Sequence, residues 1–176
     1  GSGGLIGSPL YFWREGQSMS PIKHNQTIAL GADHAGYELK NLLKESLLSI
    51  GYDVIDFGTN SGDSVDYPDF GRAVAEALAD GRAGRGLLVC GTGIGISIAA
   101  NRFPAVRAAL CRSALDAQSA REHNDANVLA LGARITGVEA AKDCLQEFLS
   151  TEFDGGRHVA RVDRLSELVQ REVEEV

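Results

Sequence analysis

Short apolar runs alternate with amphipathic helical patterns along most of this chain. Runs this short predict buried strands, and apolar positions three and four residues apart predict helices. The strands are predicted over residues 27–32, 52–57, 86–90, 106–111 and 128–131. The helices are predicted over residues 37–50, 68–80, 95–101, 113–122 and 138–150. Such alternation implies right-handed crossovers, so the expected fold is α/β, a Rossmann-like three-layer sandwich with a five-stranded parallel sheet.

Both ends of the chain depart from this alternation. The segment 1–18 begins Gly-Ser-Gly-Gly, has no periodic pattern and precedes the single methionine, Met19, which is typical of an irregular or disordered cloning remnant. An amphipathic stretch of about residues 160–173 follows a break at Gly155-Gly156. We expect it to pack on the body of the domain or on a neighbouring subunit. Residues 19–176 are therefore expected to form a single domain with a C-terminal helix.

A glycine-rich loop follows the third predicted strand. That strand ends in Cys90, and glycines then occupy alternate positions at Gly91, Gly93 and Gly95. Such a loop exposes backbone N–H groups to a ligand, and the helix after it adds further free donors, so the pattern favours an anion. Cys90 adds a group that can act as a nucleophile or move a proton. The alternative is a tight strand-to-helix turn that binds nothing.

Two known glycine motifs do not fit this loop. A Walker loop needs a lysine followed by serine or threonine after its last glycine, whereas Gly95 is followed by Ile96-Ser97. The dinucleotide fingerprint needs the spacing G-x-G-x-x-G, whereas this loop is G-x-G-x-G. The loop is therefore not expected to bind a nucleoside triphosphate or a dinucleotide.

The net charge of −7 argues against a nucleic-acid partner, because affinity for polyphosphate comes from clustered lysine and arginine. A small anion can still bind where a few basic residues converge. No stretch is long and apolar enough to cross a membrane, and no signal peptide precedes the first strand. We expect a cytoplasmic protein without a nucleic-acid or membrane partner.

Neither the cysteines nor the histidines are spaced like metal ligands. The three cysteines are an odd number, which is typical of reduced thiols, and Cys111 and Cys144 lie in apolar patterns expected in the core. The histidines show no His-x-x-x-His spacing and no Cys/His pairing: His24, His34, His123 and His158. The sequence therefore predicts no metal site.

Polar and charged residues follow three of the predicted strands. Asp33-His34 follows the first strand, Cys90 and its loop the third, and Arg134 the fifth. In open parallel sheets the ligand crevice lies beyond the carboxyl ends of the strands, so we expect these side chains to converge. For Asp33-His34 the alternative is a helix-capping aspartate beside a surface histidine.

His123-Asn124-Asp125 lies before the fifth strand instead of after it. Within one subunit this segment should therefore lie near the opposite end of the sheet. If His123 acts at the crevice, it most simply comes from a second subunit.

Three basic residues lie close together after Gly155-Gly156, in the pattern Arg157-His158-x-x-Arg161. In an acidic protein this concentration favours a phosphate-binding site, because the guanidinium group binds phosphate oxygens with two parallel hydrogen bonds. The alternative is a solvated helix face.

Backbone donors beside a proton acceptor suit chemistry in which negative charge grows on a carbonyl oxygen while a proton is removed. Formation of an enolate or enediolate is that case. Cys90 would be the proton acceptor, since loop donors favour its thiolate form. The alternative is that Cys90 is an ordinary buried cysteine at a strand end.

Several separated motifs together resemble the ribose-5-phosphate isomerase B family, within the wider group that includes galactose-6-phosphate isomerase subunits. The resemblance covers about residues 28–168. It rests on Gly-Ala-Asp-His-Ala-Gly at 31–36, Asp-Tyr-Pro at 66–68, Cys-Gly-Thr-Gly-Ile-Gly-Ile-Ser at 90–97, Ala-Ala-Asn at 99–101, His-Asn-Asp-Ala-Asn at 123–127 and Gly-Gly-Arg-His at 155–158.

The resemblance implies an aldose–ketose isomerase of the pentose phosphate pathway that interconverts D-ribose 5-phosphate and D-ribulose 5-phosphate without metal or organic cofactor. It implies catalytic roles for three residues: Cys90 as the base, and His123, helped by Thr92, in opening the sugar ring. It implies that the enediolate oxygens are held by Gly91, Gly93, Ile94, Gly95 and Asn124. Sugar hydroxyls would contact Asp33 and Tyr67. The phosphate would be bound by His34, Arg134, Arg157 and Arg161.

Some members of this family lack the cysteine and carry a glutamate base at the position of Ile96. This chain resembles the cysteine branch. The resemblance also implies a homodimer or a dimer of dimers with sites at the subunit interface. Alternatives are an isomerase of a six-carbon sugar phosphate, a catalytically silent subunit of a hetero-oligomeric isomerase, and a nucleotide-binding regulatory module.

Overall fold

The computed structural model describes residues 26–174, so the segment 1–18 lies outside the described residues. Its centre is a parallel sheet of five strands: β1 Thr27–Ala32, β2 Asp53–Asp56, β3 Arg85–Cys90, β4 Ala108–Leu110 and β5 Val128–Gly132. The strand order is β2-β1-β3-β5-β4. The helices are α1 Tyr37–Ser49, α2 Tyr67–Ala79, α3 Ile94–Ala100, α4 Ala114–Asn124, α5 Val138–Ser150 and α6 Val159–Glu174. The predicted α/β class and the five-stranded parallel sheet are confirmed.

Most predicted elements agree with the structure to within one or two residues, and β1 and α5 agree at both ends. The prediction for β4 begins two residues too early and ends one residue too late, because the strand covers Ala108–Leu110 instead of residues 106–111. β4 is an edge strand that pairs with β5 alone, so few ladder hydrogen bonds define it. The last helix begins at Val159, after a short 3-10 turn over Gly156–His158.

Side chains of successive strand residues point to opposite faces of the sheet, and each face has its own core. One core contains Leu30, Leu87 and Leu129 together with residues of α1, α4 and α5. The other contains Leu88, Cys90 and residues of α2 and α3. Cys90 therefore lies at the end of β3 on the face that α2 and α3 cover.

Cys111 and Cys144 lie in the first core, as the sequence predicts. Burial raises the pKa of the Cys111 thiol to about 12 and that of the Cys144 thiol to about 11. Both are therefore neutral at physiological pH and act as packing groups. Within the described residues, no helix is both long and apolar enough to span a membrane.

A buried ion pair supports the loop after β2. Lys40 on α1 is 1% exposed, and its Nζ donates to Asp56 Oδ1 at 2.8 Å and to the Thr59 carbonyl at 2.9 Å. The Gly58 amide donates to the same carboxylate at 2.9 Å. The Gly58 carbonyl in turn accepts from the Ala32 amide at 2.7 Å, so this pair stabilises the backbone beside the end of β1.

Burial acts to raise the pKa of Asp56, but hydrogen bonds from Lys40, the Gly58 amide and Lys44 outweigh it and hold that pKa below its ordinary value. The carboxylate therefore stabilises the fold above the pKa it has in the unfolded chain. That contribution is lost as the pH falls through the lower pKa of the folded protein.

Lys40→Met should lower the free energy of unfolding by about 3 kcal/mol, because it leaves a largely buried carboxylate without its main partner. Lys44→Met is the matched control: Lys44 contacts the same carboxylate at 3.1 Å but is 35% exposed, so its loss should cost less than about 1 kcal/mol. Urea unfolding at neutral pH measures both. Equal losses for the two variants would contradict the role assigned to Lys40.

Candidate active site

The loop between β3 and α3 folds around the sulfur of Cys90. The Gly93 amide donates a hydrogen bond to Cys90 Sγ at 3.1 Å, and Cys90 is 4% exposed. Gly93 has a φ of 77°, and a Cβ there would lie 2.5 Å from Leu110 Cδ1. Only glycine fits this position, so the amide that contacts the sulfur depends on it.

Two polar side chains flank this loop. A Cβ on Gly91 would lie 3.0 Å from Arg134 Nη1, and one on Gly95 would lie 2.5 Å from Tyr67 Cζ. The guanidinium and phenol groups therefore pack directly against the loop backbone. The Arg134 amide also donates to the Gly91 carbonyl at 2.9 Å, which fixes the start of the turn after β5.

Asp33 and His34 lie at the end of β1, next to β3. Asp33 is buried, and its Oδ1 accepts from the Gly36 amide at 3.1 Å in the turn before α1. Gly36 is the N-cap of α1 and receives no side-chain cap, so Asp33 does not cap the helix. His34 Nδ1 accepts from the Val65 amide at 3.2 Å. An accepting Nδ1 leaves Nε2 to carry the proton in the neutral ring, so His34 is oriented as a donor at Nε2.

A second cluster lies at the end of α4 and the start of α6. A groove of about 300 Å³ is lined by His123, Asn124, Arg157, His158, Arg161, Val162 and Leu165. The rings of the two histidines are stacked, with centroids 4.8 Å apart and planes inclined by 24°. Partial burial and the charges of Arg157, His123 and Arg161 lower the pKa of His158. Arg157, His158 and Arg161, the basic residues after Gly155-Gly156, all line this groove. Phosphate binding by them stays a prediction.

Arg121 holds this second cluster together. It is 5% exposed, and its Nη1 donates to Asp125 Oδ1 at 2.9 Å and to the Ala126 carbonyl at 2.6 Å. Its Nε donates to the Thr151 carbonyl at 3.2 Å. Arg121 therefore connects the end of α4 to the chain that leads from α5 to α6. Sequence reasoning missed this residue. The signal that could have found it is its position: Arg121 lies four residues after Ala117 and next to Ala120, so it shares the buried side of α4 with both alanines.

The two clusters lie at opposite ends of the sheet. Cys90 pairs with Gly132 at the carboxyl end of β5, whereas Asn124 precedes Val128 at its amino end. A strand of this length spans about 13 Å, at roughly 3.3 Å for each residue step. The two clusters of one chain are therefore separated by about the length of β5.

Comparison with known proteins then relates this arrangement to a family. The family model described as Ribose/Galactose Isomerase matches residues 28–165. The chain is 46% identical to ribose-5-phosphate isomerase B of Escherichia coli strain K12 over 144 residues, which are 82% of this chain and 97% of that protein. It is 42% identical over 140 residues to D-erythrulose-4-phosphate isomerase of Pectobacterium atrosepticum, covering 79% and 92% of the two chains.

Solved structures agree with the sequence comparison. The structure of Clostridium thermocellum ribose-5-phosphate isomerase B superposes with a TM-score of 0.82 at 51% identity, covering 83% of this chain and 99% of that one. The chain belongs to the ribose/galactose isomerase family. It is an isomerase, and the resemblance drawn from its separated motifs is confirmed.

The structure divides the predicted site residues of this isomerase into two groups. At the carboxyl end of the sheet it brings together Asp33, His34, Tyr67, Cys90, Gly91, Thr92, Gly93, Ile94, Gly95 and Arg134. The groove at the other end contains His123, Asn124, Arg157 and Arg161. Thr92 lies far from His123 of its own chain, and its Oγ1 accepts from the Ile94 amide at 3.2 Å. The roles of these residues stay predictions, whereas Ile96 is fully buried and belongs to the core.

Proposed function

We propose that this isomerase interconverts D-ribose 5-phosphate and D-ribulose 5-phosphate through a cis-enediolate, with Cys90 as the base. The observation that carries the proposal is the contact between Cys90 Sγ and the Gly93 amide, inside the glycine-rich loop that follows β3. A thiolate held there removes the proton from C2 of the open-chain aldose. The electron pair of the broken C2–H bond forms the C1–C2 double bond of the enediolate, and the carbonyl pair moves to O1. A proton then passes from O2 to O1, and return of the first proton to C1, as the C2–O2 carbonyl forms, gives the ketose.

The remaining roles are those that the family resemblance implies. Amides of the loop, with Asn124, hold the enediolate oxygens, and Asp33 and Tyr67 contact sugar hydroxyls. His123, assisted by Thr92, protonates the ring oxygen so that the furanose opens. These steps are proton transfers and charge stabilisation, so the proposed reaction needs neither a metal nor an organic cofactor.

We further propose that each site is built from two chains, in a homodimer or a dimer of dimers. The distance between the two clusters supports this, because the base and the ring-opening histidine of one chain are separated by the length of β5. A two-fold axis presents the groove of one chain to the crevice of the other. We also propose that the enzyme works in the cytoplasm, which fits its three free thiols.

Phosphate recognition by arginines from both clusters is testable. Arg134, Arg157 and Arg161 are all exposed and, together with His34, are proposed to bind the phosphate. Charge-assisted hydrogen bonds to phosphate contribute about 1.5–3 kcal/mol each, so Arg157→Ala or Arg161→Ala should raise KM roughly ten- to a hundredfold. Steady-state kinetics with ribose 5-phosphate measures the effect.

Arg164→Ala is the matched control for this experiment. Arg164 is an exposed residue of α6, the helix that carries Arg161, and it does not line the groove. Its replacement should leave KM within about twofold of the unaltered protein. If Arg157→Ala and Arg161→Ala behaved like Arg164→Ala, the basic residues would be a solvated helix face.

The length of the sugar is the second question for this site. The alternative to ribose 5-phosphate as the substrate is a six-carbon sugar phosphate. A four-carbon substrate is also worth testing, because one relative is the D-erythrulose-4-phosphate isomerase of Pectobacterium atrosepticum. A turnover assay on the phosphates of ribose, allose, galactose and erythrulose, at equal concentrations, decides between them. The proposal expects the highest kcat/KM with ribose 5-phosphate. A higher value for any other sugar would overturn the substrate assignment but not the isomerase chemistry.

A further inference from the structure

Three potential metal ligands meet at the end of α4. His123, Asp154 and His158 each offer one ligand atom, and these atoms all lie within 4.8 Å of one another. The spacing of the histidines along the chain predicts no such group, because His123 and His158 belong to different elements and Asp154 lies in the loop between α5 and α6. The three residues come together only when the chain is folded.

Backbone contacts hold the three residues next to one another. The Asp154 amide donates to the Glu122 carbonyl at 3.1 Å, so the loop residue lies against the last turn of α4. The chain then turns through Gly155 and Gly156, both with positive φ, and the His158 amide donates to the Gly155 carbonyl at 3.0 Å. The three ligand-bearing positions are therefore fixed in space before any ion binds.

Two imidazole nitrogens and one carboxylate oxygen are a donor set that suits zinc, with water in the fourth position. Magnesium and calcium prefer oxygen ligands throughout. Zinc–ligand distances near 2.0 Å require the donors to be about 3.3 Å apart. The two imidazole rings are stacked, so they must also tilt for their nitrogens to point at one ion. His123 and Asp154 are exposed, and His158 is partly so, which leaves the side chains free to make this rotation.

The charges around the cluster set the strength of binding. Arg157 and Arg161 line the same groove and repel a cation, whereas Glu122 has a carboxylate oxygen 4.0 Å from His123 Nε2 and offers an outer partner. This balance favours reversible occupation over a permanent structural metal.

We propose that His123, Asp154 and His158 form a site for a zinc-like divalent cation, and that occupation of this site inhibits the isomerase. The inhibition rests on the proposed function of His123: an imidazole whose lone pair is bound to a metal cannot exchange a proton with the sugar ring oxygen. Binding itself does not rest on it.

Binding is measured by calorimetric titration of the full chain, after chelator treatment, with zinc chloride. We expect one ion per chain. Asp154→Asn should weaken binding at least about 100-fold, since changes to outer-shell partners alone already cost 10- to 100-fold. Asp163→Asn, an exposed carboxylate on α6, and Cys90→Ala should bind like the unaltered chain. Absence of binding, or equal binding by the Asp154 and Asp163 variants, would overturn the site.

Inhibition is measured on ribose 5-phosphate turnover over a range of zinc concentrations, with reversal by EDTA. Asp154→Asn should show unchanged turnover in metal-free buffer and should need at least about 100-fold more zinc for the same inhibition. Equal inhibition of the unaltered enzyme and the Asp154→Asn variant would place the inhibitory ion elsewhere. That result would overturn the proposal that this site controls activity. If zinc binds in the titration but the metal-free enzyme turns over no sugar phosphate, the cation site stands and the proposed function fails.

Discussion

Cys90→Ala should reduce the isomerisation of ribose 5-phosphate by at least about 100-fold while leaving substrate binding nearly intact. The reason is that the variant keeps the loop amides and the phosphate-binding arginines but has no group to accept the proton from carbon. No second base is available at position 96 of α3, where the resemblance places a glutamate base in other family members. This chain has Ile96 there, which is apolar and fully buried. Single-turnover kinetics and a binding titration with the substrate separate the two effects.

Cys111→Ala is the matched control for this substitution. Cys111 is also a buried thiol that follows a strand, but it lies in the core on the other face of the sheet, and its pKa near 12 keeps it neutral. Its loss should lower stability by about 1 kcal/mol and leave turnover within a factor of about two. Thermal unfolding of both variants checks that a loss of rate in Cys90→Ala is not a loss of fold. Near-normal turnover by folded Cys90→Ala protein would rule out Cys90 as the base.

The parts of this fold that could be predicted from the sequence depend on local periodicity. β1 and β3 are buried on both faces of the parallel sheet, so each is a continuous apolar run whose ends mark the ends of the strand. α5 carries a clear amphipathic pattern. The sequence also predicts that Asp33, Cys90 and Arg134 lie at the same edge of the sheet. Parallel strands all end at one edge, and this does not depend on how the helices pack.

The parts that could not be predicted depend on pairs of residues far apart along the chain. Arg121 binds the Thr151 carbonyl, and Lys40 binds Asp56, only because helices pack in one particular way on the sheet. No periodicity marks which charged residue of a helix points inward. The stacking of His123 on His158 is of the same kind, since it needs both the end of α4 and the turn before α6 to be placed first.

A mixture of Cys90→Ala and His123→Ala proteins should regain activity that neither protein has alone. If each site takes Cys90 from one chain and His123 from its partner, a mixed dimer contains one site with both residues intact and one site that lacks both. Random exchange of equal amounts makes half of the dimers mixed, so the regained activity should approach about a quarter of that of the unaltered enzyme. Native mass spectrometry verifies that exchange has occurred, and a turnover assay on the mixture gives the result.

The control mixture combines Cys90→Ala with Arg134→Ala, two changes in the same cluster at the carboxyl end of the sheet. Because Arg134 packs against the loop that follows Cys90 in its own chain, no mixed dimer contains a site with both residues intact. This mixture should show only the average of the two parent activities. If the Cys90→Ala and His123→Ala mixture behaved in the same way after proven exchange, both residues would act within one chain. The distance that separates them along β5 would then have to close by a movement of α4 and α6 against the sheet.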